Sequence, residues 1–280
     1  MAQSGFNEKV KLNIKDNFDQ SCQMYNAFEE KHHFFASLAL KLAESIGLQH
    51  GSSVLDVGCG SGISAQVLNK YFSCRVMGVD LSEKMVEAGR LLCDSPDIRL
   101  VIGDGEKLAS VVGNRVFDYV LYNASIFIFP DVEQALMEAT GCLRPGGKIA
   151  FSFYPSITGE LGEDLLAVAF RRLGEAEPRF RVITNYAKAC QALEYHCGTV
   201  TGHRWVMPLE VGFLQDFFSI PAQSASLFPG RDYDTRRELV RKLFSTLSDV
   251  SDRSSIVWRM AEGVKPQSRG TDLLPMYPPE

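Results

Sequence analysis

The chain has 280 residues, of which 45% are hydrophobic and 22% are charged, and its 29 basic and 34 acidic side chains give a net charge of −5. These values are typical of a folded globular protein and exclude a disordered or collagen-like chain. The negative charge gives no general attraction for nucleic acid or anionic membranes. The N-terminus lacks the pattern of a signal peptide, and no uncharged stretch reaches the roughly 18 residues of a spanning helix. We therefore expect a cytoplasmic enzyme or binding protein with no nucleic-acid partner.

The first predicted element is a helix over residues 18–47, in which Phe34, Leu38 and Leu42 recur at helical spacing and Gly47 marks a stop. From residue 53 onward, short apolar strands alternate with helices. The predicted strands are 53–57, 75–80, 98–102, 117–122 and 148–153, and the predicted helices are 64–72, 83–92 and 132–143, the last closed by residues 144–147. This alternation is typical of a parallel sheet that is covered by helices on both faces.

The alternation stops after Pro155. The residues that follow are richer in aromatic side chains, prolines and helical periodicity, which indicates a mostly helical insertion and not a second α/β unit. Residues 255–261 read as a strand that returns to the sheet. The expected organisation is a helical cap (1–50), an α/β core (51–155), a lid insertion that binds the substrate (156–250), a final strand (251–265) and a loose tail (266–280).

The seven cysteines are an odd number and contain no C-x-x-C pair. The sequence therefore predicts neither a disulfide framework nor a metal site. Most of the thiols are expected to be ordinary buried side chains.

A glycine-rich string, Asp-Val-Gly-Cys-Gly-Ser-Gly, occupies residues 56–62 between the first predicted strand and the helix that follows. Glycines at such a turn let the backbone approach a ligand at a helix N-terminus. The nicotinamide fingerprint is G-x-G-x-x-G, whereas here the third glycine comes one residue earlier. Asp56 would repel a pyrophosphate but could pair with an ammonium group, directly or through water. The string therefore favours a cofactor that carries an amino acid over a dinucleotide.

Two more carboxylates follow the next predicted strands. Asp80 ends the second strand, where an acid can accept both hydroxyls of a ribose, and Ser82 is the better candidate for the cap of the next helix. Asp104 follows the third strand, where it can accept from an adenine amino group while a neighbouring backbone N–H donates to the ring. Because open α/β sheets bind ligands at the carboxyl ends of their strands, we expect Asp56, Asp80 and Asp104 to lie around one site.

These segments together resemble the motif series of class I S-adenosylmethionine-dependent methyltransferases. The segments that carry the resemblance are residues 54–62, 78–82, 103–106, 117–118 and 143–147. The likeness is to the small-molecule branch that contains the ubiquinone/menaquinone-type and malonyl-carrier-protein methyltransferases, and it covers roughly residues 50–155. It implies a Rossmann-like fold and S-adenosylmethionine as cofactor.

The resemblance also implies which residues bind the cofactor. Asp56 and the glycine loop would take the methionine end, Asp80 the ribose, Asp104 with Gly105 the adenine, and Asn123 and Ser125 would lie at the sulfonium. A segment over residues 18–25 looks like the part of such enzymes whose tyrosine closes over the cofactor. The full predicted set is Tyr25, Asp56, Gly58, Cys59, Gly60, Gly62, Asp80, Leu81, Met85, Asp104, Gly105, Glu106, Asn123 and Ser125.

The acceptor of the methyl group is not named by these motifs. The near-neutral, aromatic-rich insertion favours a small, largely apolar or aromatic acceptor, whose oxygen, nitrogen or carbon nucleophile attacks the methyl group in line and displaces the sulfur of the donor. Methyl transfer does not strictly need a general base; the candidates for one are His196, His203, Tyr186 and Tyr195.

Two alternatives stay open from the sequence. One is a thiol or metalloid methyltransferase that uses Cys190 and Cys197, and the other is a partner protein that holds the cofactor without turnover. The oligomeric state, monomer or homodimer, is not determined by the sequence.

Overall fold

The computed structural model describes residues 2–178, 182–250 and 253–267, with side chains from Gly5 onward. The predicted tail lies outside the described residues from position 268 on. The strands are β1 (Ser53–Val57), β2 (Arg75–Asp80), β3 (Ile98–Ile102), β4 (Phe117–Tyr122), β5 (Leu143–Ser152), β6 (Ser156–Thr158), β7 (Val200–Pro208) and β8 (Ser255–Val264). The helices are α1 (Ala2–His32), α2 (Phe34–Ser45), α3 (Ile63–Phe72), α4 (Glu83–Leu92), α5 (Leu108–Val112), α6 (Val132–Gly141), α7 (Leu165–Leu173), α8 (Tyr186–Cys197), α9 (Val211–Ser219), α10 (Pro221–Leu227) and α11 (Tyr233–Ser245), with a 3-10 turn at Ile126–Ile128.

All described strands join one sheet in the order β3-β2-β1-β4-β5-β8-β6, and β7 pairs with the other edge of β8. The first five strands run parallel, whereas β8 runs antiparallel to β5, β6 and β7. Apolar clusters cover both faces of this sheet, and β1 and β4 are therefore buried on both sides. The predicted α/β class, with a parallel sheet between helices, is confirmed.

Four predicted strands, 53–57, 75–80, 98–102 and 117–122, have the observed bounds. The fifth begins earlier than predicted, at Leu143, because residues 144–147 belong to the strand and not to a connection. Phe117 pairs with Leu143, and the register then shifts so that Tyr119 pairs with Lys148. The irregular stretch therefore lengthens β5 and shortens the helix before it, which ends at Gly141.

The N-terminal helix predicted over residues 18–47 is two helices that meet at His33. This residue has the left-handed conformation (φ 47°, ψ 35°), which interrupts the α-helix. The Glu29 carboxylate accepts the backbone N–H groups of Phe35 (2.8 Å) and Ala36 (3.0 Å), so α1 itself caps the start of α2.

Residues 156–250 are mostly helical, as predicted, but they also contain β7. This strand pairs along its whole length with β8, from Val200 opposite Gly263 to Pro208 opposite Ser255. Its exposed and half-buried residues alternate, which is the pattern of a strand with one face covered. Within the described part of the chain, no helix is long and apolar enough to cross a membrane.

Candidate active site

A cavity lies at the carboxyl ends of β1 to β4 and beneath α1. The empty space between its atoms is about 910 Å³, its opening to solvent included. The wall is formed by the glycine loop, the loops after β2, β3 and β4, and one face of α1. The residues of the wall are Lys11, Ile14, Lys15, Phe18, Tyr25, Phe35, Gly58, Cys59, Gly60, Ser61, Ile63, Ser64, Val79, Asp80, Leu81, Ser82, Met85, Gly103, Asp104, Gly105, Asn123, Ala124, Ser125, Ile128, Phe129 and Pro130.

The glycine loop forms one side of this cavity, and its glycines have different reasons to be there. All three have positive φ angles: 74° at Gly58, 53° at Gly60 and 78° at Gly62. A Cβ at Gly58 would lie 2.5 Å from the Cβ of Ser125, whereas a Cβ at Gly60 would meet nothing closer than the Met85 methyl at 3.8 Å. Gly60 therefore faces open space in the cavity. Gly62 is not part of the wall; it starts α3 and packs against Leu100.

The Asp56 side chain lies behind this wall. It is fully buried, and neither carboxylate oxygen has a hydrogen-bond partner among the described residues. Burial, together with the nearby charge of Asp80, raises the pKa of the carboxyl to about 7. A buried carboxylate without a partner is costly, and a cation beside it would lower that cost. The carboxylate therefore fits the ammonium end of an amino acid, as the sequence indicated. Asp56 itself lies behind the residues that line the cavity and is not one of them.

Asp80 lies in the wall at the end of β2. One carboxylate oxygen accepts the N–H of Gly60 (2.7 Å) and the other accepts the N–H of Ser82 (2.8 Å), so the residue holds the glycine loop and the next loop together. Burial raises the pKa of this carboxyl above its ordinary value, although the two backbone donors oppose the shift. Ser82 caps α4 by accepting from the Met85 N–H, as predicted. Leu81 and Met85 also line the cavity.

The two carboxylates of the loop after β3, Asp104 and Glu106, lie in different places. Asp104 and Gly105 line the cavity, whereas Glu106 does not. Glu106 is buried, and its carboxylate accepts the N–H of Asp131 (2.8 Å), so it fixes the start of α6 instead of contributing to the wall. The Lys11 ammonium lies 2.8 Å from Asp104 and 2.6 Å from Glu106. The structure thus corrects the placement of Glu106 that the sequence implied.

Asn123 and Ser125, after β4, form a hydrogen-bonded floor. The Ser125 hydroxyl donates to the carbonyl of Val57 (2.6 Å). The Asn123 amide donates to Ser64 Oγ (3.0 Å) and to the Phe35 carbonyl (3.2 Å), and its oxygen accepts from Ser152 Oγ (3.0 Å). Both residues lie in the wall as predicted, and these bonds keep them fixed.

Tyr25 lies in the wall on α1 and stacks on Phe35, with ring centroids 4.4 Å apart and planes 13° apart. Burial raises the pKa of its phenol well above the ordinary value, and the charges of Glu29, Asp80 and Asp56 add to this shift. The ring is therefore neutral at ordinary pH. Tyr25 therefore lines the cavity, and its predicted closure over a cofactor stays a prediction.

None of the four candidate bases lies in the wall. His203 pairs with Glu262 on the neighbouring strand (3.2 Å), the Tyr186 hydroxyl donates to the Met260 carbonyl (3.1 Å), and Tyr195 is 86% exposed on the outside of α8. His196 lies beside Tyr195, and burial lowers its pKa. Only their residue types suggest these four side chains, with no motif to position them, and the fold puts all four outside the cavity.

The cysteines of the thiol alternative also lie apart from the cavity. Cys190 and Cys197 are both on α8, and neither is in the wall. The pKa of each is raised by burial, which disfavours the reactive thiolate. No group of three or more His, Cys, Asp or Glu side chains among the described residues could hold a metal ion.

The cover of the cavity is α1, and no described residue of 156–250 is part of the wall. Ile14, Phe18 and Tyr25 lie on one face of α1, because they are spaced by four and seven residues. The insertion packs on α1 nearer its C-terminal end, where the rings of Phe213 and Phe217 contact Phe28. The helical spacing of Ile14, Phe18 and Tyr25 is the only signal of this cover in the sequence, and it does not say what the apolar face of the helix contacts.

Sequence comparison matches residues 55–151 to a family described as a methyltransferase domain. The chain is 31% identical over 144 residues to a demethylmenaquinone methyltransferase of Staphylococcus aureus (strain JH9), a stretch that covers 50% of this chain and 57% of the relative. It is 24% identical over 162 residues to a malonyl-[acyl-carrier protein] O-methyltransferase of Priestia megaterium, with 58% of each chain covered. The match thus spans less than two thirds of these curated relatives.

Solved structures share the fold at low sequence identity. The complex of phosphoethanolamine N-methyltransferase 2 of Haemonchus contortus with phosphomonomethylethanolamine and S-adenosylhomocysteine superimposes with a TM-score of 0.55 at 17% identity, covering 91% of this chain and 60% of that one. The YcgJ protein of Bacillus subtilis gives a TM-score of 0.55 at 17% identity, covering 85% and 100%. Residues 55–151 thus match a methyltransferase domain, and the solved structures share the fold of the chain.

Proposed function

We propose that the whole chain is an S-adenosylmethionine-dependent methyltransferase that acts on a small-molecule acceptor. The observation that carries the proposal is the unpartnered, buried carboxylate of Asp56 behind a glycine loop that opens onto the cavity at Gly60. A dinucleotide would bring phosphates to this point, and the carboxylate would repel them. An amino-acid end brings an ammonium group, which the carboxylate attracts.

The remaining contacts of the cofactor follow from the wall. Asp80 has accepting capacity left beyond its two backbone bonds, and it would hold the ribose hydroxyls. Asp104 with the Gly105 N–H would hold the adenine, next to the ring of Phe129. The bound cofactor supplies a methyl group on a positively charged sulfur. Asn123, Ser125 and Tyr25 would surround that group and keep water from it.

The wall favours catalysis by positioning. No histidine is among the described residues that line it, and the phenol of Tyr25 is held neutral. Orientation of the acceptor in line with the transferred methyl, in a site from which water is excluded, supplies the acceleration. The acceptor we propose is small and largely apolar or aromatic, because apolar side chains from α1, α2 and the β4 loop form much of the wall: Ile14, Phe18, Phe35, Ile128 and Phe129.

By their names, the curated relatives act on demethylmenaquinone and, as an O-methyltransferase, on a malonyl-[acyl-carrier protein], so they do not point to one acceptor. The test is therefore a screen for consumption of S-adenosylmethionine by the full chain with phenols, carboxylates, amines and thiols. We expect turnover with an apolar phenol or carboxylate that is lost in Asp80→Ala. Turnover with thiols alone, abolished by Cys190→Ser, would favour the thiol alternative. Binding of the cofactor without turnover of any class would favour a partner protein.

A further inference from the structure

Helix α1 is hydrogen-bonded to each of the three loops that form the cofactor side of the cavity. The Asn26 side-chain oxygen accepts from Ser61 in the glycine loop (2.8 Å), and Asp19 accepts from Ser82 in the loop after β2 (2.6 Å). The Lys11 ammonium bonds the loop after β3. These three residues of α1 are eight and seven residues apart, about two helical turns each, so they share one face of the helix.

The contact of Lys11 differs from the other two, because it involves a carboxylate that faces the cavity. Lys11 bridges Asp104, which lines the cavity, and Glu106, which does not. Side-chain exposure is low for all three, at 10%, 18% and 5%. A ligand that donates to Asp104 shares this carboxylate with Lys11, while Glu106 can hold the ammonium in either case. Asp104 is thus available to a ligand, whereas Glu106 holds Lys11 of the helix.

The other end of α1 is a joint. His33 has the left-handed conformation, and its backbone φ of 47° is unfavourable for a side chain with a Cβ. The Glu29 carboxylate, which bonds the first N–H groups of α2, holds α1 and α2 in their present relation. A movement of α1 away from the cavity about this point requires that its contacts with the three loops and with the insertion are broken.

We propose that Lys11 is the latch of α1: its bridge to Asp104 and Glu106 holds the helix closed over the cavity and limits the rate at which the cofactor enters and leaves. The inference rests on the proposed function, since it takes the ligand of the cavity to be the methyl donor or its demethylated product. Lys11 acts as a positioning residue, through the position of α1. Its loss destabilises the closed helix with or without ligand, so association and dissociation both become faster.

The test is surface plasmon resonance of S-adenosylhomocysteine on the immobilised full chain, comparing wild type with Lys11→Met. Lys9→Met is the matched control, because Lys9 is exposed on the same helix and the charge change is the same. We expect Lys11→Met to raise both the association and the dissociation rate constants at least about tenfold, the scale of a lost charge-assisted bond, with a small change in Kd. Lys11→Arg should restore slow exchange, and Lys9→Met should resemble wild type.

Salt gives a second measurement that needs no variant. S-adenosylhomocysteine has no net charge at neutral pH, so salt affects the ion pairs of the protein and not long-range attraction of the ligand. We expect both rate constants of the wild type to rise with salt, and those of Lys11→Met to change little. A higher dissociation rate with an unchanged association rate would make Lys11 a simple contact residue and overturn the latch. Equal rate constants in wild type and Lys11→Met would also overturn it, whereas no binding to the wild type would contradict the proposed function itself.

Discussion

The buried carboxyl of Asp56 makes binding of the methyl donor depend on pH in a way that can be calculated. Its pKa is about 7 in the protein, compared with an ordinary value of 3.8. If the ammonium of the bound cofactor returns the pKa to about its ordinary value, the carboxyl must lose its proton on binding. Affinity then rises as pH increases toward 7, because less free energy is spent on removing the proton. Between pH 5.5 and pH 6.5 the expected gain in affinity is about eightfold.

Isothermal titration calorimetry of S-adenosylmethionine at these two pH values measures the effect, with Asp56→Asn as the comparison. Both values lie below the pKa of an α-amino group, about 7.7–8.0, so the ligand keeps its ammonium throughout. The carboxyl of Asp80, whose pKa is also raised by burial, is present in both proteins, so the difference between them belongs to Asp56. An affinity of the wild type that changes with pH no more than that of Asp56→Asn would refute the reasoning.

The carboxyl of Asp56 should also affect the stability of the protein without ligand. Because its pKa is raised in the folded state, that state binds more protons than the unfolded state between about pH 4 and 7. From pH 5 to 7 the free energy of unfolding, measured with urea, should therefore fall by about 2 kcal/mol more in wild type than in Asp56→Asn. Asp80→Ala should weaken the binding of S-adenosylhomocysteine by about 1.5–3 kcal/mol in calorimetry, with an unchanged circular dichroism spectrum. An unchanged affinity would show that Asp80 is not part of the site. Gly58→Ala should lower Tm clearly more than Gly60→Ala, since only the first meets Ser125 at 2.5 Å, and equal losses would mean that backbone conformation alone decides both. His33→Gly should raise the free energy of unfolding by about 1 kcal/mol through relief of the left-handed strain, and a decrease would show that the helix joint is unstrained.

The core of the fold could be predicted from the sequence because its signals are local. Each of β1 to β4 is a short apolar run followed by turn residues, and burial on both faces of a parallel sheet demands that composition. Asp80 and Asp104 both line the cavity, and the sequence predicts their proximity for the same reason, since the ends of parallel strands meet at one edge.

The cover of the site could not be predicted in the same way. Helix α1 has a mixed polar and apolar sequence, and whether Ile14 and Phe18 face a cavity or another helix depends on tertiary packing. The prediction that residues 156–250 bind the acceptor stays untested. The helix that covers the cavity is α1, and no described residue of the insertion lines it. Strand β7 was missed because its alternation occurs among helices, and its pairing with β8 brings together residues far apart in the chain.

Side-chain roles were least predictable where residue type was the only guide. His203 and Tyr186 are engaged with their neighbours in the sheet region, and no spacing rule connected them to the glycine loop. Glu106 follows Asp104 by two residues, yet the chain turns between them, and only one carboxylate reaches the cavity.

The central claim, that this cavity binds S-adenosylmethionine, is tested most directly by calorimetric titration of the full chain with S-adenosylmethionine, S-adenosylhomocysteine and NAD in parallel. We expect one molecule of each methionine derivative to bind per chain, and we expect no binding of NAD. The affinity for both methionine derivatives should be lower in Asp80→Ala. Binding of NAD alone, or binding of the methionine derivatives that Asp80→Ala leaves unchanged, would contradict the account.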